Sequence, residues 1–163
     1  MEAGTKINWL DQKQFGPTEI LQVLPHRLPF LMVDKILEVS TSKPLNTSMN
    51  EDEIFSARVG STCRGLKNVT FNELQFLGHF PENPVFPGVL TVEAMAQTAA
   101  LITVPSVAAA NSGTLPKLGV VLAGIDNVRL RRPIRPGDQM IMDIEVTHGR
   151  SAIWGFHGVV TID

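Results

Sequence analysis

Three residues with the chemistry of a site, His79, Glu93 and Gln97, lie in the largely apolar stretch Gly78 to Pro105, GHFPENPVFPGVLTVEAMAQTAALITVP. His79 lies in a proline-rich loop. Glu93 and Gln97 follow on a segment whose Val89, Leu90, Val92, Ala94, Met95, Ala96, Ala99, Ala100, Leu101 and Ile102 leave no consistently polar face. At helical spacing, Glu93 and Gln97 share one side. A carboxyl group taken out of water must be protonated, hydrogen-bonded or useful. Taken singly, Glu93 reads as a bridge between backbone groups and His79 as a satisfied loop histidine. As a pair at a helix start, an imidazole and a desolvated carboxyl group make a general base and a general acid beside an anion site.

The element that must carry Glu93 is a helix. Pro87 and Gly88 mark its start, where a missing amide hydrogen is harmless and backbone can approach closely. Pro105 supplies the stop. A helix apolar nearly all round belongs in an interior. Upstream, residues to Gly16 read as a tail or strap, and Pro17 to Leu24 as a short helix ended by Pro25. Phe30 to Val39 is a strand, with His26 and Arg27 in the connecting turn and His26 read as a packing residue. Ser40 to Asn50, STSKPLNTSMN, is a loop, and Glu51 to Val59 looks strand-like through Ile54, Phe55, Ala57 and Val59.

Downstream, Ser106 to Pro116 is a small-residue loop. Lys117 to Ile125 is a buried strand running on into Asp126–Arg132, with Pro133, Pro136 and Gly137 breaking it. Met140 to His148 and Ser151 to Ile162 alternate around a turn at His148-Gly149-Arg150, which predicts a hairpin. One long apolar helix followed by consecutive antiparallel strands is α+β, and 163 residues suit a single domain over the whole chain.

A net charge of −2 argues against general nucleic-acid binding. The one cysteine, Cys63, rules out an internal disulfide, and no His/Cys cluster suggests zinc. The N-terminus lacks a basic region followed by an apolar core, so no signal peptide is visible. The charge-free run from Ala94 to Pro116 contains Gln97, Pro105, Asn111 and Gly113, which interrupts any membrane span. A cytoplasmic protein is expected. Against the mildly acidic balance, Arg129, Arg131, Arg132 and Arg135 form a basic cluster, which reads either as a solvated edge or as a docking patch.

Three blocks carry a resemblance. GHFPENPVFPGVLTVEAMAQ is similar to the GHFPxxPxxPGVLxxEAxAQ pattern of the 3-hydroxyacyl-[acyl-carrier-protein] dehydratases of type II fatty acid synthesis, the FabZ type. LPHRLPFLMVDKI (Leu24 to Ile36) and GLKNVTFNE (Gly65 to Glu73) resemble two further blocks of that family, in the same order. The resemblance implies a hotdog fold, a curved antiparallel sheet wrapped around the central helix, paired as a homodimer and often assembled into a hexamer of three dimers. It implies elimination of water from a (3R)-3-hydroxyacyl thioester bound to acyl carrier protein. His79 would be the base at C2 and Glu93 the acid at the C3 hydroxyl, the two coming from different subunits. The Gly88 N–H would stabilise the thioester oxyanion, and the carbonyl of Val85 would fix the His79 tautomer. Gln97 would orient the Glu93 carboxyl or a water. No metal or organic cofactor is required, since the thioester itself acidifies C2.

The four arginines would then dock the acidic carrier, and Phe76, Phe80 and Phe86 could line an acyl tunnel or simply fill the core. Two departures from the family stand out: the longer Ser40–Val59 connection, and Leu28 where an aromatic residue is frequent. Competing readings are a FabA-type dehydratase that also isomerises the double bond, a hotdog thioesterase, and an acyl-binding protein without activity. The FabA type normally carries aspartate at position 93, and elimination fits the His79/Glu93 pair better than hydrolysis does.

Overall fold

The computed structural model describes residues 7–150 and 153–163. Four strands, β1 (Lys35–Ser40), β2 (Thr62–Asn68), β3 (Gln139–Arg150) and β4 (Ile153–Ile162), form one antiparallel sheet in that order. The long helix α3 (Gly88–Ile102) lies across all four. This is the α+β hotdog arrangement expected from the sequence. Strand periodicity decides which face meets the helix: Met140, Met142, Ile144 and Val146 of β3 are buried, while the residues between them are not. The helix approaches β2 closely at Gly65, where a Cβ would stand 2.7 Å from Thr98 Oγ1 and 3.3 Å from Met142 Cε. Among the described residues one helical run, Gly88–Ala110, is long and apolar enough to cross a membrane, but 72% of its most apolar window is buried in the protein.

Before the sheet, α1 (Pro17–Val23) turns Ile20 and Val23 inward and is followed by Leu24 and Pro25. Residues 13–15 run along the outer edge of β1: Phe15 exchanges both backbone bonds with Ile36, and Lys13 O accepts from Val39 N. Nothing among the described residues pairs with the outer edge of β4.

Five expectations need correction. Glu51–Arg58 is a helix (α2), not a strand. Asn50 caps it by accepting from Glu53 N, the Glu53 carboxylate returns to Asn50 N, and Ile54 and Ala57 are buried at helical spacing. The strand expected from Phe30 begins only at Lys35. Phe30 and Leu31 give their N–H groups to Arg27 O, and Met32 gives its own to Gln97, so these groups are not free for a ladder.

Pro105 does not end the helical run. It sits in the first turn of a second helix, α4 (Val104–Ala110), where its missing N–H has no partner to lose, and the expected loop at Ser106 is helical to Ala110. Lys117–Ile125 forms no ladder with the described strands, and Val120, Val121, Leu122 and Ile125 stand exposed. The same holds for Asp126–Arg132. An apolar run becomes a strand only where backbone is offered to it, and among the described residues the open edge is that of β4, which the segment does not join. Finally, His148, Gly149 and Arg150 are paired strand residues facing Gly155, Trp154 and Ile153, so they are not the turn of the hairpin. The expected strand start at Ser151 lies outside the described residues.

Candidate active site

His79 sits between a 3-10 turn (Leu74–Leu77) and α3, in a loop that closes on itself. Val85 N donates to His79 O at 3.1 Å, and His79 Nδ1 lies 2.6 Å from Val85 O. A carbonyl only accepts, so Nδ1 carries the hydrogen and Nε2 keeps its lone pair. The ring also stacks on Phe80, with centroids 4.1 Å apart. The Leu28–Pro29 and His79–Phe80 peptide bonds are cis.

Neighbouring segments hold this loop. Phe86 N donates to Ile134 O, and Arg135 Nη1 donates to Asn83 Oδ1 at 2.7 Å and to Pro84 O at 3.4 Å. The GLKNVTFNE block anchors the other side. Lys67, almost fully buried, pairs with Glu73 at 3.1 Å, and Glu73 accepts from Thr70 N, so the turn leading to His79 is clamped. Phe76 and Phe86 are core residues with centroids 6.3 Å apart, whereas Phe80 is half exposed.

Gly88 is the first residue of α3, one of the positions whose N–H has no intrahelical acceptor. Among the described residues no group accepts from it. A Cβ here would run into the Leu130 side chain, so glycine keeps this approach open.

Further along α3, Glu93 Oε1 accepts from Gln97 Nε2 at 2.7 Å. Gln97 is 2% exposed and fully engaged: its Nε2 also donates to Phe30 O, and its Oε1 accepts from Met32 N. His26, expected only to pack, places Nε2 3.4 Å from the same Glu93 oxygen. No local signal points to this pair, because it joins a turn after α1 to the middle of α3. His79 and Glu93 do not touch within the chain. Among the described residues the polar side-chain contact of His79 is Val85, and those of Glu93 are Gln97 and His26.

Arg129, Arg131 and Arg132 are exposed, on a segment that is not a strand. Arg135 is set apart from them by its bonds to Asn83 and Pro84. Two hollows lie elsewhere. One is between α2 and the hairpin, lined by Arg58, Ser106 and Trp154; the other is an open cleft on the outer sheet face, lined by Arg64, Asp143 and His157. Among the described residues no group of His, Cys, Asp and Glu is arranged to hold a metal ion.

The FabA-like domain family matches residues 24–163, which includes every one of these groups. The chain belongs to the FabA-like domain family. Among its curated relatives is the 3-hydroxyacyl-[acyl-carrier-protein] dehydratase FabZ of Polaromonas naphthalenivorans, 43% identical over 147 residues, which are 89% of this chain and 86% of the relative. The enzyme of the same name from Aromatoleum aromaticum is 45% identical over the same shares. That from Tolumonas auensis is 44% identical over 92% of this chain and 87% of the relative.

Proposed function

We propose that this FabA-like chain is a hydro-lyase that converts (3R)-3-hydroxyacyl thioesters on acyl carrier protein to trans-2-enoyl thioesters, in fatty acid biosynthesis in the cytoplasm. The relatives named above carry the name of that dehydratase. The observation that carries the mechanism is the 2.6 Å contact of His79 Nδ1 with Val85 O, which leaves Nε2 as an oriented base.

In this reading Nε2 takes the C2 proton, and the C2–H electron pair becomes the C2–C3 double bond as the C3–O bond breaks. Glu93 gives its proton to the departing hydroxide, and water leaves. The Gly88 N–H donates to the thioester oxygen as negative charge builds there, aided by the positive end of the α3 dipole. The turnover leaves an imidazolium and a carboxylate, reset by proton exchange with solvent. Since His79 and Glu93 of one chain are not in contact, we assign the complete site to two copies, a dimer at least and a trimer of dimers as the larger assembly. The open β4 edge and the exposed Val120, Val121, Leu122 and Ile125 support such pairing. Arg129, Arg131 and Arg132 are assigned to docking the acidic carrier.

The test supplies 3-hydroxyacyl and 2-enoyl thioesters on carrier protein and follows the products by mass. His79→Ala should lose roughly 10²–10⁴-fold in turnover while keeping its fold. Retention of more than about a tenth of parent turnover would show that His79 is not the base. Release of free acid would make the chain a thioesterase, and a shifted double bond would place it with the isomerising dehydratases.

A further inference from the structure

His26 stands in the turn that follows α1, and its neighbours fix it there. Arg27 bonds three carbonyls around it, those of Leu21, Leu24 and His26 itself. The ring lies over Phe30 at 6.2 Å between centroids, and Gln97 holds Phe30 O and Met32 N just beyond. Gln97 therefore ties the turn carrying His26 to the helix carrying Glu93. The two residues then approach one and the same carboxyl oxygen: Gln97 Nε2 at 2.7 Å and His26 Nε2 at 3.4 Å from Glu93 Oε1. His26 Nδ1 is buried, and no described residue bonds to it. A buried N–H without an acceptor is rarer than a buried lone pair without a donor, so the ring hydrogen belongs on Nε2, facing Glu93.

We propose that His26 is a positioning residue for Glu93. With Gln97 it directs two N–H groups at Oε1, so the carboxyl proton sits on Oε2, the oxygen with no hydrogen-bond partner among the described residues, and is presented to the substrate from there. When Glu93 gives up that proton, the charge left on the carboxylate is met at Oε1 by the Gln97 donor and by His26, whose 3.4 Å contact shortens into a hydrogen bond. The inference rests on the reading of Glu93 as the acid. The polar groups facing that carboxyl among the described residues are His26 from the turn and Gln97 from α3.

The test is a cycle of His26→Phe, Glu93→Gln and the double variant, assayed on the same 3-hydroxyacyl thioester. Phenylalanine keeps the stack on Phe30 and removes the donor. His26→Phe should lower kcat roughly tenfold with KM unchanged and move the acid–base limbs of the kcat profile, the loss expected of one hydrogen bond to a charged group. In the Glu93→Gln background it should cost nothing further. His26→Gln, whose amide reaches the Nε2 position, should recover most of the rate, and His26→Asn, which is too short, should not. An unchanged kcat and profile for His26→Phe, or an equal loss in both backgrounds, overturns the inference. If His26→Phe does not fold, the Gln and Asn variants decide the matter, and equal rates for those two overturn it. Parent-like turnover by Glu93→Gln removes instead the reading of Glu93 as the acid, a result that cannot be mistaken for a failure at His26 alone.

Discussion

Replacing Gln97 by leucine tests whether one buried amide holds the turn over the site. Leucine is close to glutamine in size, so the change removes polar contacts with little cavity. Met32 N–H donates to Gln97 Oε1 at 2.8 Å, and Met32 is 2% exposed, so the variant strands a buried donor at about 1–3 kcal/mol. Phe30 O loses Nε2 at 2.7 Å, but Phe30 is 47% exposed and water can replace the bond, so little is added. Burying methyl groups in place of an amide returns about 1 kcal/mol, which loss of the Gln97 donor to Glu93 Oε1 offsets by about as much. A net loss of about 1–3 kcal/mol follows, or roughly 2–12 °C in Tm for a chain of this size. Urea unfolding with unchanged m would measure it, and amide hydrogen exchange would localise it, with Met32 N–H losing protection. A loss below about 0.5 kcal/mol with Met32 still protected would refute the reasoning.

Asn50→Ala should cost about 1 kcal/mol by removing the α2 cap; no loss would mean that the cap does not stabilise Glu51–Arg58. Neutralising Arg129 with Arg131 should slow turnover of carrier-bound substrate far more than that of a small thioester, and the carrier-dependent rate should fall as salt rises. Arg135→Gln should instead slow both substrates, because it releases Asn83 and Pro84 beside Val85; a purely carrier-dependent loss would assign Arg135 to docking. Burial, with Asp143 adding to it, pushes the Cys63 thiol well above its usual value, so maleimide should label it only on unfolding. Above about pH 8.5 only the unfolded chain ionises this thiol, so the Cys63 contribution to stability is intact below that pH and falls as pH rises; Cys63→Ala should flatten that decline.

What the sequence made legible was local or strongly periodic. The start of α3 is marked by Pro87 and Gly88, its apolar circumference announces burial, and the alternation of β3 shows in Met140, Met142 and Ile144. The signal for α2 lies in its cap rather than in its apolar residues. Asn50 and Glu53 have capping-box spacing, yet Ile54, Phe55 and Val59 in so short a segment also suit a strand. Lys117–Ile125 has a strand composition, but composition cannot supply a neighbour. The contacts at the site divide the same way. Glu93 and Gln97 meet because they lie one turn apart, whereas His26 reaches Glu93 only after α1, the sheet and α3 have been assembled.

The order of the strands also bears on how the chain acquires its shape. β2 and β3 are adjacent in the sheet, with Asn68 opposite Gln139, yet α3 and α4 lie between them in the chain. Closing that loop costs chain entropy before any ladder bond forms, while the β3–β4 hairpin closes locally and fast. We therefore expect the hairpin to form early and the β2–β3 ladder late. Pulse-labelled amide exchange during refolding would show the order, and simultaneous protection of both ladders would contradict it. A ribosome releases α3 well before β3. Until Met140, Met142 and Ile144 arrive, the helix face bearing Ala94, Thr98 and Leu101 has only part of its cover, and that interval is when the nascent chain is most open to aggregation or to a chaperone.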